Sequence, residues 1–136
     1  MNKHKIFVNL PVKDLKRTMD FFSKLGFGFN AQFTNENAAC LVIGDDIYAM
    51  LLVEKFFKTF IKKELVDATK ATEALIALSA GSRSEVDDLA ERALKAGGTE
   101  PRPAQEYPWM YSRSFQDLDG HLWELVYMDM TKVPRK

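Results

Sequence analysis

Little in this chain points to a specialised class. Cys40 is the single cysteine among 136 residues, so no internal disulfide can form, and a reducing, cytoplasmic setting is expected. Between Ala39 and Leu41, Cys40 reads as a small buried apolar side chain rather than a nucleophile. Lys plus Arg and Asp plus Glu each number 19, so the formal net charge is zero. Without a basic or acidic surplus, neither a nucleic acid nor a strongly charged partner is expected. No apolar run is long enough to span a bilayer, so no membrane partner is expected. Residues Met1 to Ile6 lead straight into a strand pattern, without the apolar core of a signal peptide. The two histidines, His4 and His121, have no zinc-site spacing, and there is no Gly-rich phosphate loop. Nothing orients either histidine for a Ser-His-Asp triad.

What the chain does have is ordinary: 46% apolar and 28% charged residues, the balance of one soluble domain with a real core. Ile6 to Val12 reads as a strand that Pro11 brings to an edge or an end. Asp14 is a candidate N-cap for a helix carrying Leu15, Met19, Phe22 and Leu25, closed by Gly26. Short strands follow at Phe27–Phe33, Ala38–Ile43 and Ile47–Val53, with a turn at Gly44-Asp45-Asp46. From Glu54 to Lys70 an apolar stripe of Phe56, Phe57, Phe60, Ile61 and Leu65 predicts an amphipathic helix, either packed as a connector or serving as a lid or subunit contact. The plan then repeats. Ala74–Ala80 is a strand, and Ser84 with Asp87 predicts the N-terminus of a helix bearing Val86, Leu89, Ala90, Ala93 and Leu94, ended by Gly97-Gly98. Thr99–Pro108 is Pro-rich and fits only an irregular or edge strand. Met110–Gln116 and His121–Met128 form a closing hairpin through Asp119-Gly120.

The halves superpose in sequence. Leu25-Gly26-Phe27 matches Ala96-Gly97-Gly98, and the Asp45-Asp46 turn matches Asp119-Gly120. A duplicated βαβββ unit is the expectation: an α+β fold of two modules in a curved mixed sheet. The single domain spans 1–136, with module one at 1–53, a helical connector at 54–72, module two at 73–130 and a polar tail at 131–136.

Glu124 is the anomaly. It lies on a strand whose other residues read as core, so its charge must be paired, bound to a ligand or metal, or neutralised. If Gln116 faces His121 across the hairpin, Arg113 faces Glu124 and satisfies it; a slip of one residue puts Ser112 there instead. Left unpaired in an apolar cup, Glu124 would have its pKa raised by desolvation. His121 lies beside the turn on the opposite face and reads as a hairpin-end residue bonding locally.

Two stretches carry a family resemblance: Asn9-Leu10-Pro11-Val12-Lys13-Asp14-Leu15, entering a helix that ends Leu25-Gly26-Phe27, and Phe115-Gln116-Asp117-Leu118-Asp119-Gly120-His121-Leu122-Trp123-Glu124-Leu125. The chain resembles the vicinal oxygen chelate superfamily, which includes glyoxalase I, bleomycin- and fosfomycin-resistance proteins and extradiol dioxygenases. Within it, the chain looks like a bacterial subgroup labelled predicted lactoylglutathione lyases. The resemblance implies paired modules, commonly a homodimer, and a cup that takes a small organic molecule. It also implies metal ligands on the first and last strands of each module. Those positions are Asn9, Met50, Ala77 and Glu124. Only Glu124 is a strong oxygen ligand, so the divalent metal that the resemblance implies meets an incomplete set, and the residues name no cofactor. A one-residue shift to Tyr48, Ala49 or Leu51 and to Ile76 or Leu78 rebuilds no metal site. The expected cup lining is Phe7, Asn9, Tyr48, Met50, Leu52, Tyr111, Arg113, Phe115 and Glu124, apolar and aromatic with few polar groups. Tyr107 to Met110 would form its rim, a dimer contact or plain packing. Two functions follow. One is a glyoxalase-like or dioxygenase-like enzyme on a small oxygenated substrate, with Glu124 as metal ligand or base. The other is a metal-free cup that binds or sequesters a small molecule.

Overall fold

The computed structural model describes residues 4–135. The chain divides into two compact units, one up to Val66 and one from Asp67. Each is built on the same plan. In the first, β1 (Ile6–Val12), α1 (Leu15–Lys24), β2 (Gly28–Phe29), β3 (Ala38–Gly44) and β4 (Ile47–Val53) give a mixed sheet of order β1-β4-β3-β2. A short helix, α2 (Glu54–Phe57), follows. In the second, β5 (Leu75–Ser79), α3 (Arg83–Lys95), β6 (Gln105–Tyr107), β7 (Met110–Gln116) and β8 (Leu122–Met128) give the order β5-β8-β7-β6. In both, the first and last strands run parallel and the hairpins antiparallel. The expected α+β fold of two βαβββ modules is therefore present, with one four-stranded mixed sheet per unit.

Local chemistry sets the elements. Asp14 caps α1 by accepting from the Arg17 N–H at 3.1 Å. Gly26 and Gly97 follow α1 and α3 at φ +100° and +109°, a backbone conformation that side chains resist. The cap of α3 is Ser82, not Ser84: its hydroxyl accepts from the Glu85 N–H at 3.1 Å. Glu85 reaches back to the Gly81 N–H, so the reciprocal capping pattern starts two residues earlier than the Ser84–Asp87 spacing predicts. The helix predicted over Glu54–Lys70 is also reduced. Only Glu54–Phe57 is α-helical, followed by a 3₁₀ turn at Lys58–Phe60. Val53 offers no side-chain cap, and neither piece buries a residue. With no side-chain cap and no fully buried residue, a nucleus is not extended.

One face of each sheet carries the helix-side core. Ala39, Leu41, Ala49 and Leu51 are fully buried on the first. On the second, Phe115 and Trp123 are cross-strand partners, stacked at 6.1 Å and both 1% exposed. Arg113 shares their face. It bonds Glu100 through Nε and Nη2 at 2.9 and 3.1 Å, Glu91 at 2.7 Å and Asp87 at 3.2 Å. Asp87 and Glu91 lie on α3, so one guanidinium ties that helix to β7. Tyr111 adds a 2.5 Å bond to Asp87.

The β7–β8 turn is organised by Asp117. Its Oδ1 accepts from the Asp119 and His121 N–H groups, and its Oδ2 from Trp123 Nε1, each at 3.0 Å. The Asp117 N–H also bonds the His121 carbonyl at 3.0 Å, so both residues belong to the loop. Gly120, at φ +93°, passes so close to Ala68 and Thr69 that an added Cβ would sit 2.7 Å from their backbone.

Burial pushes the Asp117 carboxyl above its ordinary range, against His121 and the N–H donors that hold it down. A raised folded-state pKa adds stability below the unfolded pKa, and that stability is lost as pH rises through the folded value. Asp117→Asn turns an amide N–H₂ or a neutral oxygen toward Trp123. A loss of about 1–3 kcal/mol in urea unfolding is expected, larger near about pH 4 than at neutrality; a larger loss at neutrality contradicts this. Arg113→Met should lose about 2 kcal/mol, discounted for the exposure of Asp87 and Glu91. An unchanged denaturation midpoint in that variant would remove Arg113 as the tie.

Candidate functional site

On β8, residues alternate between the helix-packed face and the opposite one. Trp123 and Leu125 are buried on the first; Leu122, Glu124 and Val126 occupy the second. The expected Arg113–Glu124 pair does not form. Gln116 faces Leu122, so Arg113 faces Leu125 and Ser114 faces Glu124. The physical reason is the loop. Asp117 and His121 are bonded to each other in the turn, and Phe115 must meet Trp123 in the core. A shift of one residue would turn each strand inside out.

Glu124 is instead paired with Arg102, Nη2 to Oε1 at 2.5 Å. The Glu124 side chain is 18% exposed and that of Arg102 48%. The condition of an unpaired carboxylate is therefore not met. Arg102 stands between Pro101 and Pro103, in the irregular segment that precedes β6. Sequence reasoning missed it, because a contact over 22 positions leaves no local pattern. A lone arginine with prolines on both sides was the available clue: a charged side chain on a stiffened backbone. Across β8 from Glu124, on the β5 side, is Ala77.

Of the other expected lining residues, Tyr111, Arg113 and Phe115 lie on the helix-packed face. There Tyr111 and Arg113 bond α3 and Phe115 is buried. The β7 alternation thus separates them from Glu124. His121 keeps to the turn through its backbone bonds with Asp117.

In the first unit, the register brings together residues expected to share a surface. Phe7 pairs with Tyr48, Asn9 with Met50, and Met50 with Cys40. Phe7 and Tyr48 stack at 4.9 Å, and the Tyr48 hydroxyl donates to the Asp45 carbonyl at 2.9 Å. The Asn9 amide donates to the Phe7 carbonyl at 3.1 Å. Cys40 is buried and its thiol is pushed up by desolvation, as for an inert core cysteine.

The four ligand positions can now be tested on their chemistry. The registers set Asn9 beside Met50 and Ala77 beside Glu124. Asn9 offers only a neutral amide oxygen, Met50 is a soft thioether, Ala77 has no donor, and Glu124 is neutralised by a guanidinium. Among the described residues no group of three or more His, Cys, Asp or Glu side chains can hold a metal ion. The residues do not fit the divalent cation that the fold implies. A cavity of about 410 Å³ lies elsewhere in the second unit, lined by Ser82, Arg83, Ser84, Pro108, Tyr127, Asp129 and Lys132. No helix among the described residues is long and apolar enough to cross a membrane.

No curated protein sequence matches this one. Several solved structures share the fold. "Hypothetical protein SA1046" from S. aureus is 27% identical, with a TM-score of 0.79 over 93% of this chain and 95% of that one. A glyoxalase-related enzyme from Fulvimarina pelagi is 20% identical, with a TM-score of 0.79 over 93% and 88%. The fosfomycin resistance protein FosX from Mesorhizobium loti is 21% identical, with a TM-score of 0.69 over 97% and 98%. The model of the glyoxalase/bleomycin resistance protein/dioxygenase superfamily matches residues 6–125. Two βαβββ modules of like strand order, and a family match that runs through both, place the chain in the glyoxalase/bleomycin resistance protein/dioxygenase superfamily.

Proposed function

We propose that the protein binds a small organic molecule without a metal ion, on the face of the second sheet that carries Glu124. The observation that carries this reading is the Arg102–Glu124 pair. A cation already occupies the one strong oxygen ligand, and a divalent ion would have to displace it with no second carboxylate, histidine or cysteine beside it among the described residues. Ala77, Leu122 and Val126 beside Glu124 on this face are apolar, while Ser112, Ser114 and Gln116 on β7 are polar but uncharged, which suits an organic body held by a few neutral polar groups. The sequestering members that the family name includes support the binding reading. We further propose that the protein acts as a homodimer in the cytoplasm, which the resemblance favours.

The enzyme reading, glyoxalase-like or dioxygenase-like, requires Glu124 to release Arg102 and serve as base or ligand. It is distinguished by metal content. Protein purified without chelator should carry substoichiometric Zn, Ni, Mn and Fe, and adding these ions should leave the thermal midpoint unmoved. A bound ion at a hundredfold excess over its Kd would add about 2.7 kcal/mol, a shift of several degrees. Stoichiometric metal that is lost in Glu124→Ala would overturn the proposal.

The ion pair itself is testable by a double-mutant cycle. Arg102→Ala leaves Glu124 without its counter-ion, and a loss of about 1–2 kcal/mol is expected after allowing for the exposure of Arg102. Adding Glu124→Gln should restore most of that loss. Additive losses in the double variant would show that the two side chains do not depend on each other.

A further inference from the structure

Ser114 carries the one buried side-chain oxygen or nitrogen that lacks a hydrogen-bond partner among the described residues. The residue is 5% exposed. A buried hydroxyl left unmet destabilises a fold, and a β-branched apolar residue would suit this strand position better. Ser114 stands directly opposite Glu124, so both side chains leave the same face of the sheet, with Cβ atoms about 4.5–5.5 Å apart. Glu124 gives Oε1 to Arg102 and keeps Oε2 as an acceptor.

We propose that Ser114 and Glu124 Oε2 form a two-point site for the neutral hydroxyl group of an organic ligand, an alcohol or a phenol. This rests on the metal-independent reading of the same face. A ligand hydroxyl donates to Oε2 and accepts from the Ser114 O–H, so both protein groups are met by one oxygen. A carboxylate ligand has no O–H to give Oε2 and leaves that acceptor unmet. An ammonium group must compete with Arg102 for a charge that is already neutralised. A hydrocarbon leaves Ser114 as unmet as before. Leu122 and Val126 take the apolar body.

The test is an NMR titration of the full chain with phenol, toluene, benzoate and benzylamine, for the wild type and Ser114→Ala. Phenol is expected to bind most tightly and to shift amide signals of β7 and β8. Ser114→Ala should weaken phenol about 3–10-fold and leave toluene unchanged. In the absence of ligand, the same variant should raise the thermal midpoint, because it deletes an unmet buried hydroxyl. A structural hydroxyl would lower it. A lower midpoint, unchanged phenol affinity in Ser114→Ala, or benzoate bound as tightly as phenol overturns the hydroxyl assignment. No response of β7 and β8 to any of the four probes overturns the small-molecule reading of this face itself.

Discussion

The register of the β7–β8 hairpin rests on one buried carboxylate. Asp117 holds two backbone N–H groups of its own loop and the indole of Trp123. It thereby fixes both the length of the turn and the place of Trp123 against Phe115. Every assignment on the second sheet follows from that. With Phe115 opposite Trp123, Ser114 must face Glu124 and Arg113 must turn to α3. Arg113 then neutralises carboxylates on the helix side, and Glu124 is left to find its cation elsewhere. Arg102 provides it.

This division of charge has a consequence for chemistry. Two arginines serve the two faces of one sheet. Arg113, 11% exposed in its side chain, is surrounded by three carboxylates that keep it ionised. Arg102 is far more exposed and has one partner. The first is structural, since releasing it would strand three acids. The second, exposed and with a single partner, is the weaker contact. The same contrast separates Asp117, spent on three donors, from Glu124, which keeps an oxygen in reserve.

Much of the fold is legible in the sequence because its signals are local. Asp14 before the apolar stripe of α1, Gly26 and Gly97 at the helix ends, and Asp119-Gly120 in the hairpin each act within a few residues. Repeated in order, they reveal the duplication. The connector is misread because an apolar stripe measures amphipathicity, not whether a surface exists to receive it. Phe60 remains 67% exposed, and the helix stops after one turn. The α3 cap is displaced by two residues because Ser82 and Ser84 both have a carboxylate three residues on, and only the backbone geometry selects between them. The candidate site is legible at Glu124, whose burden as a charge among apolar neighbours is visible in one strand. Its partner is not, since the register was one residue away from the one that would have named Ser114, and Arg102 arrives from a Pro-flanked loop.

The central claim is that Glu124 belongs to a guanidinium and not to a metal ion. The most direct measurement is the amide spectrum of the protein with substoichiometric Mn²⁺, whose unpaired electrons broaden signals near any site it occupies. The amides of Ala77, Ser114 and Glu124 are expected to keep their intensity in the wild type. Selective loss of those signals at low Mn²⁺, reversed by chelator and absent in Glu124→Gln, would contradict it.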